Sequence, residues 1–162
     1  QVIIAAVNGA CFGGGCVAAY SCDMRAASLN AEFGMPEVLL GWPPGYGVAQ
    51  LTALIGKARA LELCTTGKTI NARTAAEWGL VNEVVPPQQV MSAARKWADT
   101  LLATPPIALR ETKRLLHDDE GARPKVTYLA DTAAYIDCLD TQDAREGIDA
   151  FVQKRKARFT GE

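Results

Sequence analysis

The sequence predicts a mixed α/β core over residues 1–87 followed by a helical region over 88–162, and three observations carry that expectation. The apolar run Val2 to Val7 breaks on glycines and re-forms as an Ala-rich segment, the strand-to-helix signature of α/β units. The first fifty residues are rich in Gly, Pro and short apolar runs. From about residue 88 onward apolar residues recur at helical spacing almost without interruption.

Taken in order, Val2 to Val7 reads as a buried strand, Gly14 to Tyr20 as a helix, Asp23 to Ser28 as a second strand and Ala31 to Phe33 as a short third. The segment Gly41-Trp42-Pro43-Pro44-Gly45-Tyr46-Gly47 is a shaped loop, because prolines and glycines at this density forbid ladders and helix turns. Leu51, Leu54, Ile55, Ala58 and Leu61 share a helical face, and Gly56 divides it into two helices. Asn71 suits the N-cap of a short helix through Trp78 that closes at Gly79, and a strand follows from Leu80 to Val85, ended by Pro86-Pro87. Val90, Ala94, Trp97, Ala98 and Leu101 mark the next helix. Residues 107–116, 126–139 and 143–158 read as the helices that complete the chain.

The composition is that of a soluble globule, 49% hydrophobic and 22% charged. With 17 basic against 18 acidic residues, no global field draws the chain to nucleic acid or an anionic membrane. Five cysteines (11, 16, 22, 64 and 138) lack C-x-x-C pairing, which fits reduced, buried thiols in a cytoplasm or organelle matrix. The run Val2 to Val7 is too short for a membrane span, has no basic region ahead of it and so reads as no signal peptide. The chain starts without Met in mid-strand, so it is expected to be part of something longer.

Two features could carry chemistry. Gly13-Gly14-Gly15 at a helix start leaves backbone N–H groups bare, and neither the dinucleotide nor the P-loop spacing is present. An oxyanion site, with the Gly14 N–H donating to a carbonyl that gains negative charge, is one reading; a tight crossing that binds nothing is the other. Glu37 is a carboxylate with apolar neighbours, able to exchange a proton near neutral pH if burial raises its pKa, or a plain loop glutamate if it faces solvent. The lone histidine, His117, sits at a helix end that favours it electrostatically, and Trp78 and Trp97 read as core. Trp42 and Tyr46 could line a pocket. Lys154-Arg155-Lys156-Ala157-Arg158 closes the last helix either as a solvated end or as a clamp for a phosphate-bearing ligand.

The ordered set Ala5-Ala6-Val7-Asn8-Gly9, Gly13-Gly14-Gly15-Cys16, Cys22-Asp23, Phe33-Gly34-Met35-Pro36-Glu37, Pro44-Gly45, Thr66-Gly67 and Ala76-Glu77-Trp78-Gly79-Leu80-Val81-Asn82 resembles the crotonase superfamily, that is, the C-terminal two-thirds of the enoyl-CoA hydratase/isomerase family. The ending from Arg145 to Lys156 is similar to that family's last helix. The resemblance implies a crotonase-like ββα-superhelix core, here partial, with a helical trimerisation region, assembly as homotrimers or hexamers, and action on acyl-CoA thioesters through a stabilised enolate. It implies no metal and no cofactor beyond the coenzyme A of the substrate. Carried over by position, Gly14 matches an oxyanion donor, Glu37 the second of two catalytic glutamates, and Gly45 a loop glycine near the reacting centre. Gly13, Trp42, Tyr46 and Val17 then line the acyl site, and Lys154 and Lys156 face the CoA phosphates.

Two departures matter. Val17 stands where hydratases of the family place their first catalytic glutamate, and the family's N-terminal part, which supplies the other oxyanion N–H, lies outside these residues. A lone Glu37 suits an isomerase, which needs one base to move a proton between carbons, or a feruloyl-CoA-type hydratase-lyase. Tyr46 also resembles ring-forming or ring-opening members, which leaves a C–C hydrolase open. A non-catalytic relative that binds CoA esters, or serves as an assembly or RNA-associated subunit, is the alternative from another class.

Overall fold

The structure, a computed structural model, describes residues 1–120, 132–133 and 135–160, without the side chains of 115 and 117–120. The side chain of His117 and most of the helix expected over 126–139 lie outside the described residues; 135–139 are helical.

Strands alternate between two sheets. β1 (Ile4–Val7) belongs to one sheet, and β2 (Ala10–Phe12), after a turn at Gly9, to the other. Helix α1 (Gly14–Tyr20) returns the chain to the first sheet as β3 (Met24–Ser28), and β4 (Glu32–Gly34) enters the second. This strand, strand, helix repeat makes a superhelical ββα core. β1 and β3 pair in parallel with Ala6 opposite Ala26, and β2 and β4 in parallel with Cys11 opposite Phe33. β5 (Thr69–Asn71) adds to β4 antiparallel, and β6 (Glu83–Val85) to β3 in parallel.

The helices follow from their punctuation. Gly56 separates α2 (Val48–Ile55) from α3 (Lys57–Thr66), as its lack of a side chain suggested. Asn71 caps α4 (Ala72–Glu77) by accepting the Thr74 N–H at 2.9 Å. α5 (Val90–Leu102) lies on the first sheet, its Ala93 and Ala94 packed on Ala26 with Ile4 and Val85 beside them. α6 (Pro106–Glu120) and α7 (Gln142–Val152) complete the described chain.

The main core gathers Val7, Val17, Tyr20, Phe33, Met35, Leu51, Leu63 and Leu80 between α1 to α4 and the sheets. Arg25 is buried yet satisfied: it donates to the carbonyls of Cys22 (2.6 Å), Leu80 (2.7 Å) and Tyr20 (3.2 Å) and so ties off the end of α1. None of the helices in the described residues is long and apolar enough to cross a membrane.

Several local expectations need correction. β2 and β5 were not expected, and β6 is shorter than the run from Leu80, because the N–H of Leu80 is taken by the Ala75 carbonyl at 2.8 Å in the turn out of α4. The last helix stops at Val152 rather than at Arg158, so the basic run lies beyond it. Lys154 takes a left-handed conformation (φ 54°). The Arg155 N–H then bonds the Ala150 carbonyl (3.0 Å) and the Lys154 N–H the Phe151 carbonyl (3.2 Å), a Schellman closure. Cys22, Cys64 and Cys138 are only half-buried, and Trp97 is a rim residue whose indole N–H donates to Glu83 at 2.9 Å.

Candidate active site

The turn between β2 and α1 is fixed from both ends. Gly13 donates its N–H to the Gly34 carbonyl at 2.9 Å, and its own carbonyl accepts the Val17 N–H at 2.9 Å, the first helical bond of α1. The Gly14 N–H precedes that bond, and no described residue accepts it. Gly13 holds φ 51° and ψ −125°, a conformation open to glycine and strained for other residues.

Glu37 arrives from the end of β4. Fully buried Met35 anchors the chain, Pro36 starts a 3₁₀ turn over Pro36–Leu40, and Glu37 lies in its first turn. A Cβ built on Gly13 would stand 3.0 Å from Glu37 Oε1, so the carboxyl group lies against the glycine turn. Glu37 Oε2 is buried and has no hydrogen-bond partner among the described residues. Burial pushes the Glu37 carboxyl above its ordinary range, offset in part by a backbone hydrogen bond. An uncompensated carboxylate oxygen beside a bare amide is costly as mere structure.

That 3₁₀ turn is held from behind by α7. Gly147 lies directly on the Leu40 carbonyl, and a Cβ on Gly41 would meet the Ala144 backbone at 2.8 Å. Small residues on α7 therefore fix the height of the Glu37 turn over the glycines.

The loop over 41–47 closes the other side. Tyr46 reaches back so that its hydroxyl would lie 3.1 Å from a Cβ on Gly14. Val17 is buried beneath the loop, 2.9 Å from where a Cβ on Gly47 would be, with the Tyr20 hydroxyl beside it at 2.5 Å from the same point, and the Val17 side chain itself presents no polar atom. Gly45 admits the ring of Tyr135, 3.0 Å from where its Cβ would be, and Trp42 meets the same ring edge-on at 6.2 Å. Trp42 is thus turned toward Tyr135, while Gly13, Gly14, Glu37 and Tyr46 converge.

Sequence reasoning missed Tyr135, Ala144 and Gly147, whose roles arise only from contacts distant along the chain. It also missed that Cys11 and Cys16 meet under the turn: the hydrogen bond between their thiols raises the Cys16 pKa and lowers that of Cys11, whose thiol also donates to the Gly15 carbonyl at 3.4 Å.

Lys154 and Lys156 stand apart from this cluster. Lys156 lines a groove of about 780 Å³ with Gln142, Asp143, Arg155 and Arg158. Arg155 grips Glu146 through both guanidinium nitrogens at 2.6 Å and holds its carboxyl down at about 2, whereas Lys154 and Lys156 make no ion pair among the described residues. Among those residues no three His, Cys, Asp or Glu side chains gather to hold a metal. The chemistry at hand is a hydrogen-bond donor for an oxygen gaining charge, set against one partly desolvated carboxyl group that can exchange a proton.

Known proteins share this fold and much of this sequence. A short-chain-enoyl-CoA hydratase of Clostridium acetobutylicum is 39% identical over 155 residues, 95% of this chain and 59% of that protein. A crotonyl-CoA hydratase of Syntrophomonas wolfei is 41% identical over 158 residues, 97% of this chain and 61% of that protein. The crystal structure of carnitinyl-CoA hydratase from Mycobacterium avium superposes with a TM-score of 0.91 at 34% identity, over 98% of this chain and 62% of that one. The chain spans about three-fifths of the length of these relatives. The sequence profile for enoyl-CoA hydratase/isomerase matches residues 1–162 throughout, and the chain belongs to that family, with its crotonase fold.

Proposed function

We propose that the protein carrying this chain acts on acyl-CoA thioesters by forming and quenching a thioester enolate. The Gly14 N–H donates to the thioester oxygen, and Glu37 removes a proton from the α-carbon and returns one to the acyl chain. The observation that carries this reading is the Glu37 carboxyl lying against the Gly13-Gly14 turn with Oε2 buried and without a hydrogen-bond partner among the described residues. A donor of this kind contributes about 2.7–4 kcal/mol to the transition state, and a positioned base about 10²- to 10⁴-fold in rate.

Lys154 and Lys156 supply the cations that meet the CoA phosphates, a role supported by their making no ion pair among the described residues. Self-association as a trimer or hexamer is supported by apolar side chains left exposed on the helical region, Leu102 at 83%, Ile107 at 68% and Phe151 at 72%.

The test is turnover of an enoyl-CoA by the full-length protein and its Glu37→Gln variant. A loss of at least about 10²-fold in kcat with KM little changed is expected. Unchanged kcat would remove Glu37 from the chemistry.

A further inference from the structure

We infer that the Tyr46 hydroxyl is the second polar group at the reacting carbons and holds the water that adds to, or leaves from, the β-carbon of the acyl chain; this rests on the enolate reading above.

Gly14 and Val17 are three residues apart on α1 and share one face, which the 45–47 loop covers. At Gly47 the loop meets a Val17 methyl group and the Tyr20 hydroxyl, which lies beneath the glycine at 2.5 Å from its Cβ position, and the side chain at position 17 itself cannot orient water. Over Gly14 it brings the Tyr46 hydroxyl, 3.1 Å from the position of a Cβ. Glu37 Oε1 stands 3.0 Å from the corresponding position on Gly13, the adjacent residue. A carboxylate and a phenol thus face neighbouring backbone positions of one turn, and Glu37 Oε2 has no hydrogen-bond partner among the described residues. Tyr46 is 45% exposed, which fits a group shared with solvent more than a packing residue.

The step balances with one base. As the water oxygen bonds to the β-carbon of a 2-enoyl thioester, Glu37 takes one water proton and the C=C pair moves to the thioester as an enolate held at Gly14. Glu37 then delivers a proton to the α-carbon. Tyr46 accepts a hydrogen bond from the water or donates one to it, and neither gains nor loses a proton. Substrates of this site are therefore 2-enoyl-CoA and 3-hydroxyacyl-CoA thioesters, despite a valine at position 17.

Full-length wild type, Tyr46→Phe and Glu37→Gln are assayed for hydration of crotonyl-CoA and for isomerisation of 3-butenoyl-CoA to crotonyl-CoA, which uses no water. Tyr46→Phe is expected to lose about 10- to 100-fold in hydration kcat, the worth of one or two lost hydrogen bonds, and to keep isomerisation within about twofold. Retained isomerisation also reports a folded site. Hydration at the wild-type rate in Tyr46→Phe, equal losses in both reactions, or a wild type that isomerises without hydrating would each overturn the assignment. Glu37→Gln losing neither reaction would overturn the enolate reading instead.

Discussion

Gly13 and Glu37 touch across the gap between α1 and the 3₁₀ turn: a methyl group on Gly13 would stand 3.0 Å from Glu37 Oε1. The glycine is required twice, once for its φ of 51° and once for this approach. The two requirements have different consequences. The backbone conformation costs another residue about 1–3 kcal/mol, whereas the obstructed carboxyl is the free end of a flexible side chain and swings aside at little cost. Gly13→Ala is therefore expected to lower unfolding free energy by about 1–3 kcal/mol in urea titrations and to cut kcat by about 10²-fold. Wild-type turnover in that variant would contradict the geometry.

Burial of Glu37 gives stability and activity opposite pH dependences. Its folded pKa lies above the unfolded value near 4.5, so the folded state holds the proton more tightly and stability falls as pH rises from the unfolded through the folded value. Glu37→Gln, neutral at every pH, is expected to match wild type in thermal unfolding near pH 4 and to exceed it at pH 7. Wild-type turnover should rise over the same window as the base ionises. A Tm difference between variant and wild type that does not change with pH would show that Glu37 is solvated.

Gly147 lies on the Leu40 carbonyl, and a side chain there meets backbone that no rotamer change relieves. Gly147→Ala is expected to destabilise by about 1–3 kcal/mol, as overpacking does, and to reduce turnover because Leu40 shares its 3₁₀ turn with Glu37. Gly9→Ala, with open space around the added methyl group, is the control and should stay within about 0.5 kcal/mol of wild type.

Lys154 closes α7 from the left-handed region at φ 54°, a conformation about 1 kcal/mol or more easier for glycine. Lys154→Gly is expected to leave stability unchanged or raise it by up to about 1 kcal/mol, the flexibility of the unfolded chain offsetting part of the gain. Calorimetric titration with a CoA thioester should show weaker binding through the lost cation. Lower stability with unchanged affinity would make Lys154 a structural residue only.

The glycine turn and Glu37 could be read from the sequence because each is a local signal, a triplet that no side chain interrupts and a carboxylate set among apolar residues. The α2/α3 break at Gly56 and the Asn71 cap were legible for the same reason. β2 and β5 were not, since three residues carry no period. The end of α7 was hidden because Lys and Arg favour helix, while the terminator is a lysine in a conformation that sequence rules assign to glycine. Nothing near Gly45 announces Tyr135, ninety residues away, and nothing near Leu40 announces Gly147. Those contacts are tertiary, and they set how Glu37 and Tyr46 meet the glycine turn.

The role proposed for Glu37 is to move a proton at the α-carbon of a thioester whose oxygen is held at Gly14. Solvent exchange into butanoyl-CoA, a saturated thioester with no double bond to hydrate, isolates that step. Incubated in deuterium oxide with the full-length protein and followed by NMR, its α-protons should be replaced by deuterium, and Glu37→Gln should reduce the exchange rate by at least about 10²-fold. Equal exchange by wild type and variant would show that Glu37 is not the base at the α-carbon.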